Sequence, residues 1–156
     1  MIREVQHDDV VTTLEAAADC GLFTPEELPT LRASLERTLA GTAGREEFWL
    51  ADFDAAGSAR GVTYCVAETM TDRVWNLLFI GVRTEDQDAG LGKGLLAAVE
   101  ARLREEGQRM LVIETTGGEE FAGTRAFYRA QGYDEEGTVR DFYAAGEHKI
   151  TFRKLL

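Results

Sequence analysis

The 156-residue chain contains no apolar stretch of the ~18 residues that a membrane-spanning helix requires, and Met1-Ile2-Arg3-Glu4-Val5 lacks the basic-then-apolar order of a secretory signal. These absences point to a cytoplasmic protein without a membrane partner. Cysteine is scarce: Cys20 and Cys65 cannot make a disulfide framework and read as free thiols without a catalytic role. His7 and His148 stand alone, and no Cys/His/Asp spacing suggests a metal site, so no metal is expected. Basic charge is also short. Seventeen Lys and Arg against 28 Asp and Glu give a formal net charge of -11, which disfavours nucleic acid as a partner. That balance is compatible with a cationic amine substrate, although acidity mostly serves solubility. Repeats, low-complexity tracts and linkers are missing too, so residues 1–156 read as a single mixed α/β domain of ordinary globular composition, 44% hydrophobic and 29% charged.

The informative stretch runs from Val74 to Glu106. Val74-Trp75-Asn76-Leu77-Leu78-Phe79-Ile80-Gly81-Val82 is almost continuously apolar, the pattern of a strand buried on both faces of a sheet. Gln87-Asp88-Ala89-Gly90-Leu91-Gly92-Lys93-Gly94 follows as a glycine-rich turn. Leu91, Leu95, Leu96, Val99 and Leu103 then form one stripe of a helix whose other face carries Glu100, Arg102, Arg104, Glu105 and Glu106, with Gly107 as its stop. Glycines at alternate positions let main-chain N–H groups approach a ligand, and the helix dipole favours an anion there. Spacing narrows the choice. A P-loop needs glycine where Gln87 stands and Ser or Thr where Gly94 stands, and a dinucleotide fingerprint needs a small residue where Leu95 stands.

The remaining pattern, Gln-x-x-Gly-x-Gly after a buried strand, resembles the acyl-CoA pyrophosphate loop of the GNAT superfamily of N-acyltransferases. Gly123-Thr124-Arg125-Ala126-Phe127-Tyr128-Arg129-Ala130-Gln131-Gly132-Tyr133 resembles that superfamily's second signature, a helix ending Phe-Tyr-x-x-x-Gly-Phe/Tyr. Between the two lies Met110–Thr115, a parallel strand by its apolar run. Asp141–Lys149 and Ile150–Lys154 look like the last strands of bacterial members. The resemblance is strong over 74–156 and weak before it.

The rest of the chain gives a coarse order. Met1–Val5 alternates as a first strand, and Asp8 or Asp9 caps a helix with Val10, Leu14, Ala17 and Ala18 on one face. Thr24-Pro25-Glu26-Glu27 starts a second helix, with Leu28, Leu31, Leu35 and Leu39 facing the core. Phe48–Phe53 and Gly61–Glu68 form an antiparallel hairpin leading into the central strand. The expectation is a sheet of about seven strands with about four helices, in the order β-α-α-β-β-β-α-β-α-β-β.

The resemblance implies acetyl-CoA as co-substrate. Its pyrophosphate would lie on the main chain of Gln87, Asp88, Ala89, Gly90, Leu91, Gly92 and Lys93. Its pantetheine would add to the strand end Ile80, Gly81, Val82, with an N–H near Ile80 polarising the thioester carbonyl. Tyr128 matches the family's general acid for the departing thiolate, while a packing tyrosine is the plainer alternative. Two departures stand out: Phe121 replaces a common Asn, and Asn76 stands where some members carry a glutamate base. Glu68, Glu114 or a water are left for that role. Phe23, Trp49 and Tyr143 are candidates for the acceptor pocket. Acetyl transfer to a primary amine is therefore the leading function, with a small-molecule or peptide acceptor and room for a homodimer. An acyl-CoA-binding module without turnover is the alternative, and a nucleotide-dependent oxidoreductase rests on the glycines alone.

Overall fold

The computed structural model describes Met1–Leu156. Its spine is one seven-stranded mixed sheet in the order β1-β2-β3-β4-β5-β7-β6. The strands are β1 (Ile2–Glu4), β2 (Glu47–Phe53), β3 (Ala59–Ala67), β4 (Val74–Val82), β5 (Met110–Thr116), β6 (Asp134–Ala144) and β7 (Glu147–Leu155). Four α-helices complete it: α1 (Val10–Asp19), α2 (Leu28–Leu39), α3 (Leu91–Glu105) and α4 (Ala122–Ala130). The element order is the expected one. All neighbouring strands are antiparallel except β4 and β5, which are parallel because α3 carries the chain back across the sheet between them. No helix is long and apolar enough to cross a membrane.

Alternation along β2 shows how the sheet is buried on both sides. Phe48 and Leu50 join a core with Leu96, Val99 and Leu103 of α3 and Tyr128 of α4. Trp49 and Ala51 point the other way, into a core with Ala16 and Ala17 of α1 and Leu31 and Leu35 of α2. Each of these large apolar side chains contributes roughly 1.5–3 kcal/mol on leaving water. The helices therefore sandwich β2, β3 and β4, while α1 and α2 leave the β5–β7 end of their face open.

Four expectations shift. Helix α2 begins at Leu28 rather than Thr24, because Thr24–Glu27 closes a turn of its own: the Glu27 N–H donates to the Thr24 carbonyl at 3.0 Å and the Thr24 N–H to the Glu27 carboxylate at 2.8 Å. Pro29 then falls in the first turn, where a missing N–H costs nothing. Helix α1 buries Thr13, Ala16 and Ala17 while Ala18 is exposed, and Asp9 pairs with Arg3 at 2.6 and 2.8 Å instead of capping the helix. Strand β6 extends back to Asp134; it is an edge strand with every residue exposed, so it needs no apolar alternation and left none to read. Glu100 is buried rather than solvent-facing. It accepts from the Tyr133 hydroxyl at 2.9 Å and pairs with Lys154 and Arg104, each at 2.9 Å.

Candidate functional site

The site begins where two strands part. β4 and β5 pair in register only from Val74 opposite Met110 to Leu77 opposite Ile113, yet β4 runs on to Val82 and β5 to Thr116. At the same point β4 carries a bulge: Cys65 pairs with Leu77 and Tyr64 with Phe79, so Leu78 is an extra residue, 42% exposed. A bulge bends and twists its strand, which here turns β4 away from β5. The Arg83 N–H donates to the Arg60 carbonyl on the β3 side at 2.8 Å. By alternation, Gly81 also faces β3, and the main-chain groups of Ile80 and Val82 face the gap that β5 has left. The Gln87 amide reaches the Val82 carbonyl from that side at 3.2 Å.

Gly81 has a different reason to be glycine from the one its neighbours suggest. A Cβ there would lie 2.6 Å from the Cys20 sulfur and 2.9 Å from its Cβ, so the close approach is from a helix end and not from a ligand. Cys20 and Cys65 are both free, and burial pushes both thiols up, away from nucleophilic reactivity.

The turn after β4 is held from two sides. Asp19 at the end of α1 accepts from the Thr84 N–H through its carboxylate and from the Thr84 hydroxyl through its carbonyl, both at 2.8 Å. Asp88 (φ +62°) and Gly90 (φ +80°) take left-handed conformations that swing the chain into α3. Gly90 caps α3 without any side-chain hydrogen bond, and the first turn holds no acidic residue. The N–H groups of Leu91, Gly92 and Lys93 thus precede the first helical bond, from Gly94 to the Gly90 carbonyl, and remain free for an anion. A Cβ on Gly92 would touch only Val82, at 3.9 Å, and, tilted toward the helix N-terminus, would otherwise stand in open space. Lys93 is exposed beside them. This cradle fits a pyrophosphate, and the gap between β4 and β5 fits an extended chain adding to Ile80 and Val82.

Tyr128 approaches the gap from the α4 side. Its residue surface is 4% exposed, with the ring packed against Phe127, Tyr133 and Phe152 at centroid distances of 5.3, 5.9 and 5.7 Å. The hydroxyl has no protein hydrogen-bond partner, yet it is not among the fully enclosed unpartnered atoms, so it opens on the cleft that the residue lines. Burial pushes its pKa above the ordinary phenol value and keeps it protonated. The Tyr133 N–H donates to the Tyr128 carbonyl at 3.1 Å and Lys154 to the Gln131 carbonyl at 2.9 Å, so the pair of buried Glu100 and half-buried Lys154 anchors the end of α4.

One cleft of about 1190 Å³ joins these parts. It brings together Ile80, Gly81, Val82, Gln87, Asp88, Gly90, Leu91, Gly92, Lys93 and Tyr128; Ala89 lies in the same turn, outside the lining. Phe121 lines it as an apolar wall, and Phe23 and Tyr143 do so on the α1–α2 face. Trp49 does not: it is 1% exposed and stacked on Tyr64 at 4.3 Å. Nor does Asn76, which lies in the paired part of β4 and donates to the Glu68 carboxylate at 2.9 Å. Of the two glutamates considered as a base, Glu68 is thus outside the cleft and Glu114 is in it. Glu114 is the first β5 residue beyond the fork and pairs with Lys149 at 2.9 Å. Leu78, Glu27 and Glu147 also line the cleft and were not singled out from the sequence, where an extra apolar residue and two surface acids carry no signal.

A parallel pair that opens midway, facing a helix N-terminus with free donors, makes a place for an extended ligand that ends in an anion. The acetyltransferase (GNAT) family model matches residues 11–133, and the chain belongs to that family. A candidate GNAT acetyltransferase from Desulfovibrio desulfuricans superposes with a TM-score of 0.91 at 29% identity, covering 99% of this chain and 98% of that one. The ribosomal-protein-S18-alanine N-acetyltransferase of Escherichia coli has a TM-score of 0.76 at 19% identity, with 99% and 92% covered. An aminoglycoside 6'-N-acetyltransferase complexed with coenzyme A has 0.79 at 14%, with 99% and 96% covered. These last two show the shared fold. No protein of curated function matches the chain in sequence.

Proposed function

We infer that residues 1–156 act as one N-acetyltransferase domain that transfers the acetyl group of acetyl-CoA directly to a primary amine. The observation that carries this reading is the placement of the free α3 donors, the unpaired edge of β4 and the unpartnered Tyr128 hydroxyl in one cleft. The N–H groups of Leu91, Gly92 and Lys93 would hold the pyrophosphate, and Ile80 and Val82 the pantetheine by strand addition. The Ile80 N–H, facing the gap, would polarise the thioester carbonyl as charge develops on its oxygen. Tyr128 would lend its proton to the departing thiolate, and Glu114 would receive the proton of the attacking amine.

A second reading, a module that binds acyl-CoA without turnover, draws on Asn76, a side chain unable to take a proton and tied to Glu68. Thiol release over an amine panel separates the two readings, and Tyr128→Phe tests the mechanism. The variant keeps the ring and removes the proton, so kcat should fall on the order of 10²-fold while acetyl-CoA affinity holds. Rescue by acyl donors with better leaving groups would assign the proton to the sulfur. Unchanged turnover would leave Tyr128 as a packing residue.

A further inference from the structure

The cleft is far more acidic than a pyrophosphate site calls for. Six carboxylates line it, those of Glu27, Asp86, Asp88, Glu114, Glu120 and Glu147, while Lys93, in the glycine turn, is the single lining cation. Three of the six stand on the side away from that turn. Glu27 comes from the start of α2, Glu114 from β5 just past the fork, and Glu147 from the first position of β7. Glu114 is neutralised by Lys149, but Glu27 and Glu147 have no cationic partner. Phe23 and Tyr143 stand on the same side; Phe23 is braced edge-on against Phe79 at 4.8 Å. The neighbouring Phe142 already carries an ammonium on its face, with Lys149 Nζ 4.0 Å from its centroid. Tyr128, nine-tenths buried with an unpartnered hydroxyl, opens on this same cleft, so a ligand that reaches the tyrosine shares the cleft with these acids.

We propose that the acceptor is a small diamine or polyamine: one ammonium loses a proton and reacts, and a second stays bound between Glu27 and Glu147 against Phe23 and Tyr143. This rests on the acetyl-transfer reading and names its substrate class. In the transfer step the amine nitrogen forms a bond to the acetyl carbon, the carbon–sulfur bond breaks, and the sulfur leaves with its electron pair and takes up a proton. The second ammonium takes no part in bond making; it sets position and affinity. An exposed ion pair alone gives well under a tenfold effect. Two carboxylates and an aromatic face acting together give about tenfold.

Cadaverine, pentylamine and aminovalerate make the test, since they share a five-carbon chain and differ only at the far end: ammonium, methyl or carboxylate. Thiol release should show kcat/KM for cadaverine about tenfold above pentylamine, with aminovalerate lowest. The cadaverine-to-pentylamine ratio should collapse in Glu27→Gln and Glu147→Gln, and shrink as salt rises. Equal kcat/KM for cadaverine and pentylamine would overturn the proposal, as would variants that lower both alike. If no amine releases thiol, calorimetry of cadaverine binding to the CoA-loaded protein decides. Binding weakened by Glu147→Gln upholds the cationic site and removes the acetyl-transfer reading, whereas no binding removes the site.

Discussion

The two halves of β4 share a strand and differ in almost everything else. From Val74 to Leu77 it is bonded on both sides, to β3 and β5, and Trp75 and Leu77 are 4% and 1% exposed. From Leu78 to Val82 its only strand partner is β3, and on the side that faces β5 it meets only the Gln87 amide, at the Val82 carbonyl. The closed half earns stability from burial; the open half leaves main-chain groups unpaired, which a monomeric sheet normally avoids. Unmet backbone donors inside a cleft are a binding site for a chain that brings its own partners. The bulge at Leu78 is the boundary between the two regimes.

The sharpest way to break this comparison is to truncate the two adjacent leucines across the boundary. Leu77→Ala removes a fully buried side chain and should destabilise by about 2–5 kcal/mol in urea unfolding. Leu78→Ala, one residue on, should stay within about 0.5 kcal/mol. Similar losses at both positions would mean that the strand is buried throughout and the cleft is shallow. Next comes the cradle that makes the open half useful. Gly92→Val fills the space before the α3 donors and should weaken acetyl-CoA binding on the order of 10²-fold by calorimetry, with the fold retained. Gly90→Val should do the same but also cost about 1–2 kcal/mol of stability, because φ at Gly90 is +80°. Unchanged affinity in a folded Gly92→Val protein would separate the cradle from the cofactor.

The smallest expected effect is on the pH profile. Burial raises the Tyr128 pKa above the ordinary value of about 10, so the protonated phenol is favoured in the fold. Its contribution to stability is complete below pH ~10 and is lost only as pH rises through the raised value. The acid is thus present throughout the working range, and kcat should show no falling limb between pH 7 and about 9.5. A falling limb centred near pH ~10 that disappears in Tyr128→Phe would show a phenol exposed to water in the working enzyme.

Much of this architecture is legible without coordinates because it is local. The glycine turn, the stripe Leu95, Leu96, Val99, Leu103 and the motif around Tyr128 each lie within a dozen or so residues, where strand and helix periods act directly. Gln87, Gly90, Gly92 and Tyr128, all picked out by those local patterns, line one cleft. Trp49 misleads because an alternating strand buried on both faces hides which side each aromatic takes; only α2 packing on one face and α3 on the other decides it. Asn76 and Glu68 look like a lost base and its substitute, but their hydrogen bond ties them together in the closed part of the sheet.

The chain's own pattern thus determined the element order, the glycine turn and the tyrosine helix, since hydrophobic period and turn chemistry act over neighbouring residues. Tertiary structure alone decided where β4 leaves β5, that Gly81 yields to Cys20, and that Glu27, Glu114 and Glu147 share one cleft. Those three acids lie just before α2, on β5 and on β7, and nothing in the sequence brings them together. Only the sheet order, which places β7 beside β5 and leaves its α1–α2 face uncovered there, does so.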